Sequence, residues 1–144
     1  MTTLTTETLR ITIDAPYDEV TTYLAEPASA HEWATEFFAG PLSKGSGEEW
    51  VAQVPMMGGE VRYRQEIDLE RGVIDLYLAP RGVEFGPPLP VRIVPNGDGA
   101  DVLWTLTRFP GVPDEQWRAS LQSMQRELDN LKRTLEASRP GEHG

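Results

Sequence analysis

One stretch near the C-terminus constrains this chain more than any other. Trp117, Leu121, Met124, Leu128, Leu131 and Leu135 recur at spacings of four and three, which puts them on one side of a helix from Pro113 to about Ser138. Asp114, Glu115, Arg118, Gln122, Arg126, Asp129 and Arg133 fill its other faces. Pro113 suits the first turn, the two acids after it complement the positive end, and Lys132 and Arg133 sit near the negative end. Arg139-Pro140-Gly141 stops it. At 1.5 Å per residue the rod is roughly 39 Å long, and one apolar stripe of that length must lie across something broad. A coiled-coil seam has the same spacing, but only about three heptads are present and strands dominate the chain before them. The spacing therefore predicts a helix lying on a sheet.

The rest of the chain supplies that sheet. Thr8 to Asp14 alternates, with Leu9, Ile11 and Ile13 on one face, as a half-buried strand does. Asp14-Ala15-Pro16 then opens a short helix to about Ala25, with Asp14 as its expected cap, and Glu26-Pro27 breaks it. A second short helix is expected from about Ala28 to Phe37. A weak strand near 38–43 and strands at 49–54, 60–68, 73–79, 89–95 and 100–109 follow, separated by turn signals such as Lys44-Gly45-Ser46-Gly47 and Asn96-Gly97-Asp98-Gly99. Arg81 to Pro90 is the one long irregular loop. If Glu70-Arg71 centres its turn, Ile67 faces Ile74, Gln65 faces Leu76 and Tyr63 faces Leu78, all on one side. Val91 and Ile93 likewise share a face with Val102, Trp104 and Leu106. Asp75 and Tyr77 fall on the outer face in this register, and a slip of one residue would turn them inward.

Composition excludes several function classes. No cysteine is present, so thiolate metal sites, iron–sulfur clusters, disulfides and thiol nucleophiles are out. The net charge of −10 leaves no basic patch for phosphates, which argues against nucleic acid as a partner. Nothing approaches the roughly 20 apolar residues of a membrane span, and no leader-like apolar run begins the chain, so a cytoplasmic protein of one domain over residues 1–144, ordered from about 7 to 138, is expected.

The order of motifs resembles the helix-grip fold of the START-like (SRPBCC) superfamily, most closely the bacterial polyketide cyclase/dehydrase-like proteins. Ile13-Asp14-Ala15-Pro16 with Glu19-Val20, then Tyr23-Leu24-Ala25-Glu26-Pro27, carry the first part of the likeness. His31-Glu32-Trp33-Ala34, Val94-Pro95-Asn96-Gly97-Asp98-Gly99, and the helix from Asp114-Glu115 to Leu131-Lys132 carry the remainder. The resemblance implies an α+β fold: a curved antiparallel seven-stranded sheet around a long C-terminal helix, with two short helices after the first strand. It also implies an apolar cavity between sheet and helix, of the kind that binds lipids, sterols, polyketides or quinones and in some members cyclises or dehydrates polyketide chains.

Three functions are compatible with these residues: a binder of a small hydrophobic molecule, a cofactor-independent cyclase or dehydratase using the same cavity, and a non-catalytic interaction module. The expected walls of the cavity are Trp33, Phe37, Trp50, Tyr63, Gln65, Leu76, Leu78, Trp104, Trp117, Met124 and Leu128, and each is equally at home in a plain core. Met56, Met57 and Phe85 are candidates for a flexible rim at its mouth; a homodimer patch is the competing reading. Tyr63, Gln65, Arg108 and His31 are the candidates for acid–base or orienting roles. His31, the one histidine outside the tail, also suits a surface position beside Glu32, and Arg108 at a strand end suits snorkelling to water. One usable histidine and no cysteine predict no metal, and no Gly-rich phosphate loop predicts a cofactor.

Overall fold

The computed structural model describes residues 2–137. The alternating N-terminal stretch is strand β1 (Thr5–Ile13), followed by helix α1 (Tyr17–Leu24), a 3-10 turn at Pro27–Ser29 and the single-turn helix α2 (Ala30–Trp33). Strands β2 (Ser43–Lys44), β3 (Trp50–Val54), β4 (Gly59–Asp68), β5 (Val73–Pro80), β6 (Leu89–Asn96) and β7 (Gly99–Arg108) come next, and helix α3 (Asp114–Ala137) closes the described chain. Among the described residues the strands form one antiparallel seven-stranded sheet in the order β1-β7-β6-β5-β4-β3-β2. The fold is the expected α+β one. Each step joins neighbours in sequence except β1–β7, where the first strand pairs with the last, Leu9 opposite Trp104 and Ile13 opposite Ala100.

Strand register follows from the side-chain period of two. Ile67 faces Ile74, Gln65 faces Leu76 and Tyr63 faces Leu78. Val91 faces Trp104 and Ile93 faces Val102, across the two-residue turn Gly97-Asp98. Asp75 and Tyr77 lie on the outer face, where Asp75 pairs with Arg92 at 2.9 Å and the Tyr77 ring carries the Arg64 guanidinium. The inner face meets α3, whose Met124, Leu128, Leu131 and Leu135 are buried. Each such leucine stabilises the fold by about 1.5–3 kcal/mol relative to an exposed one.

Three local expectations are corrected. The second helix stops at Trp33 instead of reaching Phe37. The Glu127 carboxylate on α3 takes the backbone N–H groups of Glu36 and Phe37, at 3.0 and 2.9 Å, and so competes with a helical ladder there. The weak strand near 38–43 shrinks to Ser43–Lys44, since Gly40 sits at φ 114° and Pro41 offers no N–H to a ladder. Pro16, not Asp14, occupies the cap position of α1; the Asp14 N–H is bonded to Glu136 at 2.8 Å. The helix stop at Arg139-Pro140-Gly141 lies outside the described residues.

Gly72 closes the β4–β5 turn at φ 66°, and a Cβ there would overlap the Ile93 carbonyl oxygen. Gly97 has a similar φ of 56° but open space around it. Gly97→Ala should therefore cost about 1 kcal/mol of unfolding free energy for its left-handed backbone, and Gly72→Ala at least about 2 kcal/mol more for the added clash. Urea titration of the two variants checks this; equal midpoints would show that the turn is looser than described.

Candidate ligand cavity

Between the inner face of the sheet, the segment around α2 and the first half of α3 lies a cavity of about 180 Å³. Its aromatic walls are Trp33, Phe37, Phe38, Tyr63 and Trp104. The rings meet edge to face: Trp33 against Trp104 at 5.2 Å between centroids, Phe37 against Phe38 at 5.0 Å, and Phe38 against Tyr63 at 6.0 Å. Such T-shaped contacts fix ring orientations, so the walls keep their shape without meeting in the middle. Leu76, Leu78, Leu89 and Leu106 form the floor from the sheet, and Met124 the roof from α3. Ala30 and Ala34 line it where larger side chains would fill it. Met56 also lines it while 64% exposed, which marks the place where the lining reaches the surface.

Polar groups are few. Tyr63 is 3% exposed, and burial raises its hydroxyl above the ordinary tyrosine range, so it stays neutral and able to donate. That oxygen accepts a hydrogen bond from Gln65 Nε2 at 2.8 Å, and the same amide donates to the Leu24 carbonyl at 3.1 Å. The sheet thus holds the end of α1 and the cavity tyrosine through one side chain. Ser120, Ser123 and Glu127 line the cavity from α3, and Glu127 is the one charged residue of the lining among those described.

Glu127 belongs to a polar latch between α3 and the segment after α2. Its Oε2 accepts the two backbone N–H groups, and Arg126 grips the Glu36 carboxylate through Nε and Nη2, both at 2.7 Å. Ser123 Oγ donates to the same carboxylate at 2.7 Å, and Asn130 Nδ2 donates to the Trp33 carbonyl at 3.3 Å. Burial raises the Glu127 carboxyl above its usual range, partly offset by the two N–H groups. Hydrogen bonds from Arg126 and then Ser123 pull Glu36 down to about 2.

Of the expected walls, the cavity brings together Trp33, Phe37, Tyr63, Leu76, Leu78, Trp104 and Met124. Trp50 instead packs at the side of the core under the Lys44 ammonium, 4.9 Å from its ring centroid. Trp117 is half-buried in the first turns of α3, beyond the lining, and Leu128 is fully buried in the core. Gln65 supports the cavity without lining it. Of the rim candidates only Met56 lines the cavity; Met57 packs against the core. Phe85 lies on the outer face, sandwiched with Tyr77 and the Arg62 and Arg64 guanidinium groups, where it pins the 81–88 loop. Arg108 donates to the Val112 carbonyl and pairs with Asp114 at 2.7 Å, fastening the turn into α3. His31 is half-buried away from the lining, and its Nδ1 meets no hydrogen-bond partner among the described residues. Among the described residues no three histidine, aspartate or glutamate side chains converge as a metal ion would require.

A family model described as polyketide cyclase/dehydrase and lipid transport matches residues 1–136. The chain belongs to that family. Solved structures agree on the helix-grip fold of the family. The Aha1 dimer from Colwellia psychrerythraea superimposes with a TM-score of 0.68 at 15% identity, covering 92% of this chain and 97% of that one. Protein TTHA0849 from Thermus thermophilus gives 0.61 at 21% identity, over 94% and 100%. Ara h 8.0201 gives 0.64 at 13% identity, over 94% and 100%. At these identities the likeness is one of fold. No curated protein sequence matches the chain.

Sequence reasoning passed over Ala30, Ala34, Phe38, Leu89, Leu106, Ser120, Ser123 and Glu127, all of which line the cavity of this polyketide cyclase/dehydrase and lipid transport family member. Glu127 did leave a signal: it lies three residues after Met124 and four before Leu131, inside the apolar stripe.

The two glutamates of the latch have opposite pH linkage. Glu36, lowered in the folded state, contributes stability above its unfolded value of about 4.5, and loses it as pH falls towards about 2. Glu127, raised in the folded state, behaves in reverse: its favourable term is complete below about 4.5 and is lost as pH rises through its folded value. Wild-type protein should therefore lose stability relative to Glu127→Gln as pH rises from 4, and Arg126→Ala should flatten the acid limb. Urea midpoints from pH 2 to 8 check both signs; parallel curves for wild type and Glu127→Gln would mean that the carboxylate is not desolvated.

Proposed function

We propose that this protein binds a small, mostly apolar molecule carrying a ring in the cavity under α3. The observation that carries this reading is a cavity of about 180 Å³ walled by five aromatic side chains, with small residues where larger ones would fill it. Apolar cavities of about 150 Å³ take up benzene, so the space suits one ring or a compact pair better than a long acyl chain. Family membership supports a hydrophobic ligand in general; ring shape and size come from the walls. Trp33, Phe37, Phe38, Tyr63, Leu76, Leu78, Trp104 and Met124 are the contacts, with Met56 at the mouth.

Turnover in the same cavity is a second reading, favoured by one observation: two groups able to carry a proton, Tyr63 and Glu127, stand on its wall. A cyclase or dehydratase step relies mainly on substrate orientation and one acid–base group, and both residues would then touch substrate.

In thermal-shift titrations, toluene, indole and naphthalene should raise the midpoint of wild-type protein, and palmitate should not. Ala34→Phe, which fills the space from just beyond α2, should weaken binding of all three rings at least tenfold while leaving the circular dichroism spectrum intact. Undiminished binding in that variant would place the ligand elsewhere, and no shift with any ring would remove the reading altogether.

A further inference from the structure

The chemistry of Glu127 narrows the ligand class, given the cavity reading above. Glu127 is 4% exposed, lines the cavity, and sits in a wall that is otherwise almost wholly apolar. Its Oε2 is taken by the N–H groups of Glu36 and Phe37. Its Oε1 accepts no hydrogen bond from any described residue. Two neighbouring polar side chains on α3 are already committed: Ser123 Oγ donates to Glu36, and Arg126 is engaged with the same carboxylate. The latch uses only Oε2, which leaves Oε1 for water or for a ligand in the cavity to satisfy. A leucine at this position, flanked by Met124 and Leu131, would have continued the stripe.

Two facts set what could satisfy that oxygen. In its ionised form the carboxylate only accepts, so at a pH where it is ionised the partner must donate. The cavity holds about one ring beside it, so the donor must be attached to that ring or lie one atom from it. We propose that Glu127 makes the cavity selective for aromatic alcohols, with the ring among Trp33, Phe38, Tyr63 and Trp104 and the hydroxyl donating to Oε1. A hydroxyl fits better than an ammonium group because it loses far less hydration on entering an almost wholly apolar wall, a loss that one ion pair need not repay. The two backbone N–H groups have a second role in this arrangement. They stop the carboxylate from rotating away, so the free oxygen is held in place before ligand arrives, and little ordering is left for binding to do.

Three probes of nearly equal shape separate the possibilities: p-cresol, which donates; p-xylene, which neither donates nor accepts; and 4-methylanisole, which only accepts. Measured by calorimetry at pH 8 and referred to each compound's partition from water into hydrocarbon, wild-type protein should hold p-cresol at least tenfold more tightly than either of the others. In Glu127→Gln the amide oxygen keeps the two backbone N–H groups and its NH₂ replaces the free oxygen. The preference should then shift towards 4-methylanisole, with p-cresol losing at least tenfold against it. Benzylamine as a fourth probe should bind no better than p-xylene on the same scale. Equal normalised affinity of wild-type protein for the first three probes would overturn the proposal whether or not the variant folds, and would leave the cavity reading standing. A benzylamine affinity above that of p-cresol would overturn the choice of alcohol. Failure of every probe to bind wild-type protein would overturn both this proposal and the reading beneath it.

Discussion

The rest of this structure depends on how α3 holds the segment that follows α2. An amphipathic helix can rest on a sheet by its apolar stripe alone, and leucines packed against strands would then leave nothing hollow. Here the stripe is buried tightly only from Met124 onward, at Leu128, Leu131 and Leu135. Around that anchor, Arg126, Glu127, Ser123 and Asn130 take hold of Trp33, Glu36 and Phe37 by their backbone or carboxylate groups. The segment is thereby held against the helix as irregular chain instead of continuing as a helical turn. Its aromatic side chains are turned under α3, where they become walls.

This arrangement separates what holds the fold from what shapes the cavity. The fully buried side chains Ile13, Val20, Val54, Val61, Ile74, Val91, Ile93, Val102, Leu128 and Leu131 make up the packed part of the interior. The aromatics with Ala30, Ala34 and Met124 enclose the hollow part. Stability comes from the packed part at about 1.5–3 kcal/mol per large side chain. The hollow part forgoes such contacts, and the polar latch and edge-to-face rings keep it from collapsing.

The sheet was readable from the sequence because its rules are local and strict. A period of two and a turn at Glu70-Arg71 set Tyr63 and Gln65 inward, with Ile67 on the same face at its exposed end, and one residue of slip would have reversed every one of them. Most of the large cavity walls followed from the same parity. The hollow itself was less legible, because it is made by missing bulk. Ala30, Ala34, Ser120 and Ser123 say nothing by hydropathy, yet they decide where the rings stop. Glu127 was hidden by its charge, which pattern reading assigns to a wet face. Phe85 misled in the opposite sense: an aromatic in a loop looked like a rim, but the two arginines on the outer strand face gave it cation–π partners there. Arg108 and Trp50 were drawn away by similarly specific neighbours, which no periodicity encodes.

The β1–β7 pairing has a consequence for how the chain matures. Residues 5–13 find their ladder partners only in residues 100–108, and the Lys132 ammonium reaches the Thr12 carbonyl at 2.9 Å. During translation at about 5–20 residues per second, the first strand therefore waits several seconds for its partner, while the meander from β3 to β6 can already zip together from local hairpins. The nascent protein passes through a stage with an unpaired leading edge and an uncovered greasy surface, and the hollow comes into being last, when the final helix leaves the ribosome and docks.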